Sequence, residues 1–100
     1  MKRRVEWSQY ALDDLRNQVA YIFADNPDAA QRVATRIRSV GTALGDFATG
    51  HPGRFSGTYE KSVAGLPFII AYALADGDRA VSILRVIHTA RNWQVEDWPD

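Results

Sequence analysis

His88, with Arg85 three residues before it, Arg91 three after and Trp93 two beyond that, is the densest grouping of chemically capable side chains in the sequence. An imidazole with a pKa of about 6.5 can give or take a proton at neutral pH. A strand-end histidine can equally be hydrogen-bonded to loop backbone and do no chemistry, and the sequence leaves both roles open. Arg91 and Trp93 carry planar groups that stack on bases or anchor a protein interface, unless Trp93 folds back to close the core. Trp98 could belong to a free end or pack on the helices.

Arg85 lies among apolar strand residues, where an unpaired buried charge costs several kcal/mol. Glu60 is the expected partner, in an ion pair that fixes strand register; contact of Arg85 with an external target is the alternative. His51 sits beside Pro52 and Gly53 with no third ligand near it, so no metal site is expected. The sequence holds no nucleophile elbow, Walker loop, dinucleotide fingerprint or paired-carboxylate motif, and no cofactor is implied. Any enzymatic reading must rest on Arg and His alone.

The elements that would position these residues follow from periodicity. Val5 and Trp7 alternate with polar residues in a short opening strand. Ser8 can cap a helix over about 9–24, with Ala11, Leu12, Leu15, Val19, Ile22 and Phe23 as its buried stripe and Asp13, Asp14, Arg16 and Asn17 opposite. Asn26-Pro27-Asp28 ends that helix and starts a second over about 27–47, which must fold back antiparallel. Residues 50–57 are glycine-rich and expected to be irregular. Three strands then form a meander over 58–63, 68–74 and 80–88, the last two joined at Asp76-Gly77. The class is α+β: a strand, an antiparallel helical hairpin and a three-stranded antiparallel meander, the helices packed on one sheet face. Two short helices roof only one face of a four-stranded sheet. The second is expected to be exposed and apolar, to be covered by a partner's helix or strand or by a second copy.

Length and charge narrow the classes further. One hundred residues make one domain, with 91–100 as a C-terminal tail. No apolar run is long enough for a membrane span, and Met1-Lys2-Arg3-Arg4 is not followed by a signal-like apolar stretch. The absence of cysteine removes thiolate chemistry and fits a reducing, cytoplasmic setting. Net charge is zero from twelve bases and twelve acids, so bulk attraction to nucleic acid is not expected. Ten of the bases are Arg, and the acidic end leaves residues 1–91 at +3, so a locally basic face remains possible.

The chain resembles the ParE branch of the RelE/ParE toxin superfamily over about residues 4–93. The resemblance is carried by Trp7-Ser8, Ala11, Asp14-Leu15, Tyr21-Ile22, Asn26-Pro27, Ala29-Ala30 and Gly53-Arg54. It continues through Gly57-Thr58-Tyr59-Glu60, the run Leu66 to Tyr72, and the run Ile83 to Trp93. It implies a toxin of a type II toxin–antitoxin system, of the plasmid-stabilization and growth-arrest kind, neutralised in a hetero-oligomer by a ParD-like antitoxin that covers its apolar surface. Phe68, Ile70, Tyr72 and Leu74 are the residues expected to meet that antitoxin. The ParE branch implies inhibition of DNA gyrase by binding, with Arg54, Arg91 and Trp93 as expected contacts and no catalytic residue. The RelE branch implies ribosome-dependent mRNA cleavage, which would use His88 with Arg85 or Arg91. Pro67-Phe68 where many ribonucleases carry Arg, and Trp93 where a Tyr is frequent, favour the first, because an indole cannot donate a phenolic proton. Sequence-specific DNA binding by this chain alone is not expected, since it shows no recognition helix.

Overall fold

The computed structural model describes residues 2–90, so the expectations for Arg91, Trp93 and the tail lie outside the described residues. The elements are β1 (Arg4–Trp7), α1 (Gln9–Phe23), α2 (Pro27–Ala43), β2 (His51–Pro52), β3 (Tyr59–Ser62), β4 (Phe68–Ala75) and β5 (Ala80–His88). They form one five-stranded sheet in the order β1-β5-β4-β3-β2. β1 runs parallel to β5, and the remaining pairs are antiparallel. The expected α+β layout is present, with a short fifth strand inside the segment expected to be irregular. Gly50, at φ +132°, lets that strand dock: a Cβ there would lie 2.7 Å from the Glu60 carbonyl oxygen.

Both helices start where the sequence signals them. The Ser8 hydroxyl accepts the Ala11 N–H at 3.0 Å, and the Asn26 side chain accepts the Ala29 N–H at 3.1 Å ahead of Pro27. α2 ends at Ala43, short of the expected 47. The stripe expected on α1 is narrower than its apolar content: Ala11 and Leu15 are buried, whereas Leu12 and Phe23 are exposed. Asp14, expected on the polar face, is buried.

The core lies between the helices and one sheet face, from Ala11, Leu15, Ile37 and Leu44 to Ile70, Tyr72, Val81, Ile83 and Val86. A bulge opposite Ala71 and Tyr72 sets its composition. Tyr72 pairs with Ile83 and Ala71 with Arg85, leaving Leu84 without a partner. The extra residue resets the alternation, so Ile83 and Val86 share the core face, where strict alternation would place Val86 with Leu84.

This registry corrects two expectations. Phe68, Ile70 and Tyr72 are 2%, 0% and 1% exposed inside the chain's own core, with Leu74 packed against it, and so are not available to an incoming antitoxin. They line the side the helices cover, because a strand buried on both faces gives no sign of which face the helices take. The opposite face is not an open apolar sheet either: Ala71 and Ile87, which lie on it by register, are 0% and 1% exposed.

Candidate functional site

β1 accompanies β5 only as far as Ile83, and the strand edge beyond would leave backbone groups unpaired. The start of α1 takes them up. The Ser8 N–H donates to the Ile83 carbonyl at 2.9 Å, and its hydroxyl donates to the Leu84 carbonyl at 2.8 Å. Asp14, two turns on, accepts the Val86 N–H at 3.0 Å and both Nε and Nη2 of Arg85 at 2.7 Å. The Tyr10 ring lies 5.6 Å from the centre of the same guanidinium. Charge-assisted bidentate pairing of this kind orients Arg85 toward the helix.

The expected Arg85–Glu60 pair is therefore not formed. Both residues stand in register with Ala71, in the same row of the sheet, but each finds another partner. Glu60 accepts the backbone N–H of Arg54 at 3.0 Å and its Nε at 2.9 Å. Burial pushes the Glu60 carboxyl up, yet the side-chain and backbone hydrogen bonds from Arg54 outweigh it and hold the group below its ordinary value. Arg54, an expected target contact, thus anchors its own loop while its side chain stays 38% exposed.

His88 packs edge-on against Phe68, ring centroids 5.3 Å apart. Its Nδ1 accepts the Ala90 N–H at 3.1 Å, so the neutral ring carries its proton on Nε2 and offers no free lone pair there. The cleft around it, about 590 Å³, is lined by Gln18, Tyr21, Ile22, Val33, Leu66 and Pro67 among others, with no carboxylate, Lys or Arg among the described lining residues. Arg85 is held at Asp14, and Arg91 lies outside the described residues. The three groups of the catalytic alternative are thus not seen assembled among the described residues. Nor is there a cluster of three metal-ligating side chains, or a helix long and apolar enough to cross a membrane, among these residues.

Apolar exposure is concentrated elsewhere. Tyr10, Leu12, Tyr21 and Phe23 of α1 are all exposed, Tyr21 at 79%. Leu12, Leu15, Val19 and Phe23 meet Ala34 of α2 in an open groove of about 530 Å³ with Arg16 and Arg38 at its rims. Sequence reasoning missed this surface, although the signal was present: α1 carries more apolar residues than a single buried stripe can use.

Residues 5–93 match the family model described as the ParE toxin of the type II toxin–antitoxin system parDE. The chain is 41% identical over 93 residues to the candidate toxin Y4kP of Sinorhizobium fredii, covering 92% of this chain and 94% of that one. It is 36% identical over 89 residues to toxin RelE2 of Caulobacter vibrioides, covering 88% and 97%. Its fold matches a chain of the chromosomal ParDE system from P. aeruginosa with a TM-score of 0.80 at 19% identity, covering 87% and 96%. A chain of the RelBE2 toxin–antitoxin complex from Mycobacterium tuberculosis follows at 0.63 and 22%, covering 88% and 99%.

Proposed function

From the premise that this chain belongs to the ParE toxin family of type II toxin–antitoxin systems, we propose that it arrests growth by binding DNA gyrase and performs no chemistry of its own. The observation that carries this reading is the state of His88. Its Nδ1 is occupied by a backbone N–H, and among the described residues its cleft offers no charged group to relay a proton or hold a phosphate. General acid–base cleavage needs a positioned base with a free lone pair, and transition-state charge needs a positioned donor. Arg91 and Trp93 remain the proposed target contacts, with the exposed part of Arg54 beside them.

The antitoxin partner is assigned to the helical side. The groove of Leu12, Val19, Phe23 and Ala34 is open and apolar, as a neutralising peptide requires, and the core residues of β4 are not. Action in the cytoplasm, as part of a toxin–antitoxin hetero-oligomer, follows from the same assignment.

The relation to toxin RelE2 supports a second reading, ribosome-dependent mRNA cleavage. Inducing the chain without its antitoxin separates the two. Lost supercoiling and DNA damage are expected, with His88→Ala still toxic. Cuts in ribosome-bound mRNA that vanish in His88→Ala would establish the nuclease instead.

A further inference from the structure

α2 carries an arginine face that the ion-pair network leaves alone. Arg32, Arg36 and Arg38 are all exposed, and among the described residues none has a carboxylate within 4.0 Å. Elsewhere the arginines are mostly spent: Arg4, Arg16, Arg54 and Arg85 each bind an acid. Arg32 and Arg36 stand one turn apart, about 6 Å between side-chain origins, in a shallow depression with Gln31, Thr35 and Ser39. Asp28 is the one acid there, at the first turn of the helix. Arg38 projects on the far flank, at the groove shared with α1. The buried side of the same helix, Ala30, Ile37 and Gly41, points to the core.

We propose that this face of α2 binds the phosphate backbone of nucleic acid, without reading sequence. Guanidinium groups interleaved with short amide and hydroxyl donors are the side chains that make phosphate contacts. A protein partner would need an aromatic or large aliphatic anchor at the centre of its footprint, and the depression of Gln31, Arg32, Thr35, Arg36 and Ser39 contains none. The zero net charge of the whole chain conceals the feature, because eleven of the twelve acids lie outside α2 in the sequence. The inference does not rest on gyrase being the target: either outcome of the toxicity experiment leaves it standing, and its failure leaves that reading intact.

The test uses the full chain with a fluorescent duplex DNA of random sequence, followed by anisotropy. Two released counterions, from Arg32 and Arg36, give a log–log salt slope of about −1.8, or about a 12-fold loss of affinity between about 50 and 200 mM salt. The triple variant Arg32→Gln, Arg36→Gln, Arg38→Gln keeps good helix formers on an exposed face, and its fold is verified by circular dichroism. It is expected to lose at least about tenfold in affinity and most of the slope. Arg36→Gln alone should weaken binding more than Arg79→Gln, which removes the same charge at the β4–β5 turn. No binding by the unaltered chain, equal binding by the triple variant, or equal losses from the two single variants would each overturn the proposal. So would competition by polyglutamate as effective as by unlabelled duplex at equal charge, which would assign the face to an acidic protein.

Discussion

Asp14 and Arg85, 71 positions apart in the chain, form a two-pronged ion pair at 2.7 Å, and the same carboxylate takes the Val86 N–H that β1 stops too early to reach. One acid on the first helix thus closes the edge of the last strand. Both side chains are nearly buried, at 11% and 13% exposed. Removing the carboxylate strips a nearly buried guanidinium of its bidentate contact, so Asp14→Ala should cost up to about 3–5 kcal/mol in urea unfolding. Asp14→Asn keeps an acceptor for Val86 and should cost clearly less. Equal losses for the two variants would show that the lost charge alone carries the effect and that the Val86 acceptor is immaterial.

Glu60 and Arg54 give the fold an acid-sensitive clasp. Burial raises the Glu60 carboxyl, but the Arg54 hydrogen bonds prevail and its folded pKa falls below the ordinary value of 4.5. The clasp's contribution is therefore complete above the unfolded pKa and disappears as the pH falls through the folded one. Melting temperatures of the native chain and of Glu60→Gln, measured from neutral pH down to about 3, should differ most at neutral pH and converge in acid. A gap that stays constant would remove the clasp from the acid response.

Tyr72 contributes at the opposite end of the pH scale. Burial, and after it the neighbouring Tyr59, raises its phenol above 10.0. Its hydroxyl donates to the Thr49 carbonyl at 2.6 Å and ties the segment before β2 to the core. Only the neutral phenol makes this bond, so its contribution holds below the unfolded pKa and is lost as the pH rises through the folded one. Tyr72→Phe should cost about 1 kcal/mol at neutral pH, read by denaturant unfolding, with the difference shrinking above about pH 10.

The fold class and the run of elements were legible because they rest on local signals: two caps at Ser8 and Asn26, a Pro at the first helical turn, and an Asp-Gly hairpin. Pairing across the chain was not. Glu60 and Arg85 do share a sheet row, but the choice of partner depended on Asp14, whose place in the helix pattern looks solvent-facing. Nor could alternation reveal the bulge at Leu84, since β5 carries apolar residues on both faces around it. The same ambiguity assigned Phe68, Ile70 and Tyr72 to a docking face when they fill the core. Arg91 and Trp93, the pair with most to say about the target, stand beyond the described residues.

Gly41 marks where α2 presses closest to the sheet. A Cβ there would stand 2.5 Å from Cζ2 of Trp7 and 3.0 Å from Cδ1 of Ile83. Alanine in mid-helix gains about 1 kcal/mol over glycine in propensity, while overpacking a core contact costs about 1–3 kcal/mol. Trp7 is half-buried and is the nearest neighbour of that Cβ, so Gly41→Ala should lower stability by up to about 2 kcal/mol. Trimming the indole in Trp7→Leu makes space, and in that background Gly41→Ala should become neutral or stabilising. A cycle without coupling would mean that α2 shifts as a whole.

The helical groove yields the prediction closest to function. Phe23 is 57% exposed and Leu12 40%, so neither is required by the core, yet both line the groove with Val19 and Ala34. A charge placed there meets water in the free chain and an apolar partner in the complex, where an unpaired carboxylate is costly. Leu12→Glu with Phe23→Glu should leave the melting temperature within a few degrees. The same pair should weaken binding of the cognate antitoxin by about a hundredfold or more, in titration calorimetry with the purified proteins. Toxicity should persist in cells that co-express the antitoxin. Undiminished neutralisation by the antitoxin would move its site away from the helices, most directly to the half-buried Ile69 and Ala73 on the other side of the sheet.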